Sequence, residues 1–279
     1  MPNRIEFALN HVVAPNLGSG HLGADRFFAL ARELGVTKVE IRNDLAGAPI
    51  ADGTAAEEMK RAAHAQGVTL LTINALQRFN EWNEGREAEA VSLAKYAKVC
   101  GAEALVLVPV NDAGFRPTDK KRLAGLREAL RHLEPILVEH GLKGFVEPLG
   151  FAISSLRSKR EALDAIDAIG AADTFLLVHD TFHHHLAGEA AFFPERTGLS
   201  HISGVTERAL ALTSLKDAHR VLVDEADILA NLAQIEALRA GGYRGVFSFE
   251  PFAESVQRAG DLRTKLEASM GYIAKSMAR

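Results

Sequence analysis

Apolar and polar positions switch period repeatedly along this chain. Short apolar runs of the kind that make buried strands alternate with longer stretches whose apolar residues recur every three to four positions, the mark of a helix. Strands are predicted at residues 4–10, 37–44, 68–76, 102–112, 142–151, 174–180, 198–205 and 243–252. Helices are predicted at 23–34, 54–66, 86–100, 118–140, 158–169 and 227–241, with a last one at 257–278. Several helices carry their own start and stop signals. Thr54, Thr118 and Ser158 stand at N-cap positions, and Gly35, Gly67, Gly101 and Gly141 follow C-terminal ends. Three stretches break the alternation: a Gly-rich loop after the first strand, a helix-poor stretch from Asp180 through Pro194, and residues 206–226. The last is long for a connection and is predicted to be a loop with a short helix.

Strands separated by helices lie parallel to their neighbours, and eight such units most simply close into a (β/α)8 TIM barrel. The chain is then a single domain over residues 1–279. A doubly wound open sheet usually carries a Gly-rich phosphate loop after an early strand; GSGHLG at 18–23 fits GxGxxG, but a lone match of that pattern is weak against eight alternating units, and no P-loop occurs.

Composition narrows the function classes. Apolar residues make up 47% and charged residues 24%, ordinary globular values that allow a large core. The net charge of −4, with no basic block, argues against a nucleic-acid partner. The one cysteine, Cys100, excludes an intramolecular disulfide, and its Ala-rich helical setting reads as a buried thiol. No apolar run reaches the roughly 18 residues of a membrane span, and the N-terminus shows no signal-peptide core, so a cytoplasmic protein is expected. The sequence is compatible with a homo-oligomer.

In this fold class the site lies at the C-terminal mouth, where the strand ends meet. Those ends carry Asn10, Glu40 with Arg42 and Asn43, Asn74, Asn111 with Asp112, Glu147, Asp180, His201 and Glu250. For Asn10, Asn74 and Asn111 a cap or loop role is an equal reading. Glu147, Asp180, His201 and Glu250 stand apart, one from each of strands five to eight. Glu147 in FVEPLG and Glu250 in FSFEPF each precede a proline. Proline keeps the residue before it extended, so each carboxylate is held on its strand's path. Three converging carboxylates and an imidazole would repel one another without a cation. Oxygen-rich ligation by this set suits one divalent ion, Mn, Mg or Co, with Zn also open. In LLVHDTFHHH, Asp180 also reads as an N-cap with histidines behind it. His183, three residues on, is placed to face the same cavity, whereas His179 should point away from it. Phe79, Trp82 and Phe252 could wall a substrate ring or simply pack in the core.

The segments VEPLGF, HDTFHHH, SHISGV and FEPF together resemble the xylose-isomerase-like TIM barrels, sugar isomerases and epimerases with one divalent metal at the mouth. EIRND at 40–44, TINAL at 72–76, LVPVND at 107–112 and SSLRS at 154–158 extend the likeness toward the 2-keto-myo-inositol isomerases. The resemblance implies that Glu147, Asp180, His201 and Glu250 ligate the metal and that Glu147 and Glu250 serve as acid and base. It implies that His183 contacts substrate; Asn74 and Asn111, polar strand ends able to bind a polyol, are further substrate-binding candidates. Related ketose epimerases also place an arginine shortly after the histidine of strand seven; the nearest candidate is Arg208, in SGVTER, which departs from their pattern. The expected activity is isomerisation of a cyclic polyol ketone or ketose through an enediolate. A ketose 3-epimerase, an inosose dehydratase and an endonuclease IV-type phosphodiesterase are the alternatives, the last disfavoured by charge and ligand count.

Overall fold

The computed structural model describes residues 5–14, 23–44, 50 and 53–278. The Gly-rich loop expected after the first strand falls at 15–22, outside the described residues. Eight strands form a closed barrel in sequence order: β1 (Phe7–Asn10), β2 (Lys38–Arg42), β3 (Thr69–Gln77), β4 (Ala104–Val108), β5 (Lys143–Val146), β6 (Phe175–Asp180), β7 (Thr197–Ile202) and β8 (Phe247–Phe249). Every neighbouring pair is parallel, including β1 with β8. The helices between them are α1 (Ala24–Glu33), α2 (Ala56–Gln66), α3 (Glu84–Cys100), α4 (Asp119–His140), α5 (Lys159–Ala168), α6 (Thr181–Ala187) and α7 (Asn231–Ala240). The chain closes with α8 (Glu254–Gln257) and α9 (Leu262–Met277). The fold is therefore the (β/α)8 barrel that the alternation predicts.

Two apolar layers hold it together. Ala8, Leu71, Ala75, Val106, Val178, Leu199 and Val246 plug the barrel interior. A much larger layer, with Phe27, Phe28, Met59, Leu133, Ile166 and Leu266 among its members, packs the helices onto the outside of the strands. Cys100 is buried in that outer layer, and burial pushes its thiol up to about 11.

Three strands end earlier than their apolar runs, because proline cannot donate to the ladder. The backbone N–H of Glu147 still donates to Leu107 O at 3.1 Å, and that of Glu250 to Ile202 O at 2.9 Å. Pro148 and Pro251 follow at once and end the pairing; Pro109 does the same after β4. Each Glu is thus the last residue tied to the sheet.

The stretch after Asp180 departs from expectation. It opens as helix α6, capped by Asp180 Oδ1, which accepts from Phe182 N at 2.7 Å and His183 N at 3.0 Å. Gly188, in the left-handed region with φ 66°, ends it. Residues 206–226 contain two single 3-10 turns, Leu212–Ser214 and Asp217–His219, in place of an α-helix. They fold back onto the barrel through an antiparallel bridge between Gly204 and Val221. Gly150, in the loop after β5, lies directly on α6. A Cβ there would sit 2.3 Å from His183 O and 2.9 Å from Ala187 N, so any side chain is excluded.

Candidate metal centre

Sequence spacing cannot bring strands five to eight together; barrel closure does. Glu147, Asp180, His201 and Glu250 are all buried, and each offers one ligand atom within 4.8 Å of the others. His201 stands at the centre. Its Nδ1 lies 2.9 Å from Glu147 Oε1, 3.3 Å from Glu250 Oε2 and 4.0 Å from Asp180 Oδ2. Its Nε2 lies 3.1 Å from both oxygens of Glu40. The ring therefore turns one nitrogen toward the three carboxylates and the other toward a fourth. That is the arrangement in which a carboxylate fixes the tautomer of a metal-binding imidazole.

Asp180 divides its work between its two oxygens. Oδ1 caps α6, while Oδ2 accepts from Arg220 Nη2 at 2.6 Å and faces the cluster. The capping reading and the ligand reading of this residue are compatible, and the histidines behind it are not a solvated run. His183 is buried, its ring meets Phe151 and Phe182 edge-on, and its buried Nδ1 has no hydrogen-bond partner among the described residues.

Two buried arginines complete the mouth. Arg220 is fully buried and also donates to Glu250 Oε2 at 2.9 Å and Ser203 Oγ at 3.0 Å. Arg42 donates to Glu250 Oε1 at 2.7 Å and makes two bonds of 2.8 Å to Asp44. Phe252 lies under both guanidiniums, at 5.2 Å from Arg42 and 4.8 Å from Arg220. These groups line a cavity of about 220 Å³ together with Glu147, His183, Asn111, Gln77, Val108, Leu149, Phe151 and Asp217.

The structure sorts the remaining sequence candidates. Asn111 lines the cavity, at its exposed edge. Asn74 does not: its amide donates to Glu40 Oε2 at 2.8 Å, below the cluster. Arg208 is also elsewhere, donating to Ala226 O at 3.3 Å on the surface; the arginine after β7 that lines the cavity is Arg220. The chain between them folds back through the Gly204–Val221 bridge, which carries residue 220, not 208, over the barrel. Phe79 is core and Trp82 stacks on His132 at 5.3 Å, so of the three aromatic candidates only Phe252 faces the cavity. Glu40, Arg42 and Arg220 received no role from the sequence. A signal for the first two existed: Glu40 and Arg42 are two apart in an apolar strand and so share its inner face. For Arg220 there was none.

Electrostatics distinguishes the carboxylates. Burial opposes the charge on Glu250, but His201, Arg220 and Arg42 outweigh it and hold the carboxyl down at about 2. Burial raises Glu147, and the neighbouring Glu250 and Asp180 add to that rise against the pull of His201. Burial disfavours charge on His201, yet Glu250, Glu40 and Glu147 raise it well above the ordinary histidine range. The cluster thus collects positive charge wherever it can. Four buried carboxylates share two guanidiniums and one imidazole, and the O₃N donor set fits a divalent cation on these grounds. Nδ1 of His201 becomes a ligand when its proton leaves.

Behind Asp180 lies a separate polar group. His179 points away from the cavity, as the strand period predicts. Its Nδ1 is 3.0 Å from Lys159 Nζ and its Nε2 2.9 Å from Gln234 Oε1. Lys159 Nζ also lies 3.0 Å from His184 Nδ1. An ammonium only donates, so both Nδ1 atoms accept and His179 carries its proton on Nε2. Burial brings Lys159 down to about 8 despite Glu189 nearby. Burial, then the charge of Lys159, holds His179 well below its usual range and His184 at about 3.

The family model of the xylose isomerase-like TIM barrel matches residues 28–275. The chain belongs to that family. A xylose isomerase domain-containing protein from Salmonella typhimurium LT2 is 31% identical, with a TM-score of 0.86 over 98% of this chain and 97% of that one. The IOLI protein with a bound zinc atom superposes at a TM-score of 0.80 and 20% identity, over 98% and 97% of the two chains. A D-psicose 3-epimerase from Clostridium cellulolyticum H10, crystallised with D-tagatose, superposes at 0.73 and 14% identity, over 98% and 99%. The last two likenesses are of fold. No curated protein matches the chain by sequence. No helix among the described residues is long and apolar enough to cross a membrane.

Proposed function

We propose that this chain is a divalent-metal-dependent isomerase acting on a cyclic polyol ketone or a ketose, moving the carbonyl to the adjacent carbon through an enediolate. The observation that carries this reading is the convergence of Glu147, Asp180, His201 and Glu250 within 4.8 Å, with Glu147 and Glu250 lining a cavity. A bound Mn, Mg, Zn or Co ion would act there as a Lewis acid on the substrate's carbonyl and hydroxyl oxygens. The chain's own groups do the rest. A glutamate of the cluster takes the proton from the carbon beside the carbonyl. His183, which lines the cavity, offers its ring to a substrate oxygen as a hydrogen-bonding partner. Phe151 and Phe252 offer apolar faces to the C–H side of a ring, and Asn111 and Gln77 offer hydrogen bonds to hydroxyls.

A cavity of about 220 Å³ suits a small molecule, not a polymer strand. A cytoplasmic location, a homo-oligomeric state and the absence of nucleic-acid and membrane partners belong to the same proposal. A 3-epimerase or dehydratase would use the same metal and the same proton abstraction, so the product decides.

The experiment is elemental analysis of the purified protein, followed by NMR of a substrate panel in D₂O. The panel is 2-keto-myo-inositol, D-fructose and D-psicose. The expected result is one equivalent of divalent metal and conversion of one panel member to its carbonyl-shifted isomer. Protein with no divalent metal after reconstitution, and no product or hydrogen exchange with any member, would sink the reading.

A further inference from the structure

Glu147 and Glu250 are alike in sequence, each on a strand end before a proline, and unlike in surroundings. Glu250 has both oxygens engaged. Oε1 accepts from Arg42 Nη1 at 2.7 Å and Asn10 Nδ2 at 3.2 Å; Oε2 accepts from Arg220 Nη2 at 2.9 Å and lies 3.3 Å from His201 Nδ1. The two guanidiniums are themselves anchored, Arg42 by Asp44 and Arg220 by Ser203, Asp180 and Asp217. Among the described residues Glu147 makes one side-chain hydrogen bond, its Oε1 accepting from His201 Nδ1, and it lines the cavity. A carboxylate wedged between two fixed guanidiniums can accept a proton only by giving up one of those charged bonds, because a protonated oxygen is a donor facing a donor.

We propose that Glu147 alone carries the substrate proton in both directions, while Arg42 and Arg220 clamp Glu250 as a fixed anion, so that the proton leaves and returns on one face of the substrate. This rests on the isomerase reading above and narrows it. In the forward step Glu147 removes H⁺ from the carbon bearing the hydroxyl; the C–H pair becomes the C=C bond, and the carbonyl π pair moves to its oxygen. In the return step the hydroxyl proton passes to the former carbonyl oxygen, the oxygen that loses it re-forms a carbonyl, and the C=C pair takes H⁺ back from Glu147 at the neighbouring carbon. No oxidant or reductant is needed. One carboxyl on one face can shift a carbonyl but cannot invert a carbon, which needs a donor on the opposite face. Arg42 and Arg220 are positioning residues that select carbonyl migration over epimerisation.

The test uses Mn²⁺-loaded full-length protein and 2-keto-myo-inositol deuterated beside the carbonyl, in H₂O, read by ¹H and ²H NMR. The expected result is partial transfer of deuterium to the neighbouring carbon, partial loss to solvent, and no inverted epimer. Complete loss of label, or an inverted epimer from the wild type, overturns the proposal and leaves the proposed function standing. Complete retention indicates a hydride shift and also overturns it. No product and no exchange from 2-keto-myo-inositol, D-fructose or D-psicose overturns both. A second measurement needs no turnover: Mn²⁺ titration by calorimetry. Glu250→Gln removes the carboxylate that the two guanidiniums share beside the cluster and should weaken Mn²⁺ by more than about 100-fold, against about 10-fold for Glu147→Gln. Equal losses, or the reverse order, overturn the clamp. Should Glu250→Gln not fold, Arg42→Gln replaces it; removing the charged donor to Oε1 should raise the inverted epimer above the wild-type level, and an unchanged level overturns the clamp.

Discussion

Glu40→Gln separates the fixing of His201 from the ligation expected of it. The Glu40 carboxylate receives four side chains: Ser248 Oγ at 2.5 Å, Thr72 Oγ1 at 2.6 Å, Asn74 Nδ2 at 2.8 Å and His201 Nε2 at 3.1 Å. Gln has nearly the same shape but replaces one acceptor oxygen by an NH₂ that points two more donors into a ring of donors. At least one buried group then goes unpaired, a loss of about 1–3 kcal/mol in stability. The effect on metal is separable. Losing the carboxylate partner of a ligating imidazole typically weakens binding about 10–100-fold, or roughly 1.4–2.7 kcal/mol. Calorimetric titration of the metal-free variant with Mn²⁺, alongside its melting temperature, measures both. Wild-type Mn²⁺ affinity in a folded Glu40→Gln protein would refute the idea that Glu40 holds Nδ1 of His201 toward the other three carboxylates.

Three further outcomes are expected. Asp180→Asn should lose most of its bound metal by elemental analysis while far-UV circular dichroism stays native, because Asn is as good an N-cap for α6 as Asp; full metal stoichiometry would contradict the site. His183→Ala should keep metal affinity and lose about 10²–10³-fold in kcat, the scale of one lost hydrogen bond to developing charge; normal turnover with a lower melting temperature would assign His183 to packing. Lys159 has a folded pKa of about 8 against an ordinary 10.5, so the unfolded chain binds more protons between those values and the ammonium's burial penalty is fully present below pH 8. Stability from this residue should therefore rise from pH 8 to 10.5, by about 3 kcal/mol. Cys100, raised to about 11, pulls the other way above pH 9, so the readout is the difference between wild type and Lys159→Met in urea. Parallel pH profiles for the two proteins would show that Lys159 is not buried as a cation.

What the sequence made legible follows from where its signals are local. The alternation of periods is local, and it led to the barrel. The Glu-Pro pairs are local too, since proline both ends the strand and fixes the residue before it. Helix α6 was hidden because its seven residues include three histidines, and because Asp180 read as a strand end as well as a cap. Arg220 could not be found at all: it lies in a stretch without periodicity, and only the Gly204–Val221 bridge carries it into the mouth. Arg208 was chosen by distance along the chain from His201, which is the wrong measure where the chain doubles back. Asn74 was assigned to substrate because it ends an apolar run, but the barrel closes over it and its amide serves Glu40 instead.

The contact at Gly150 bears on how such a barrel can be altered. Loops at the mouth of a (β/α)8 barrel are commonly treated as interchangeable parts, each grafted or lengthened alone on a constant scaffold. Here the loop after β5 presses its bare backbone onto the carbonyl of His183 and the amide of Ala187. Those two connections form one mechanical unit carrying a carboxylate, a helix cap and an imidazole. Loop exchange or library design at this mouth therefore has to move residues 147–158 and 180–188 together; transplanting either segment alone displaces the other.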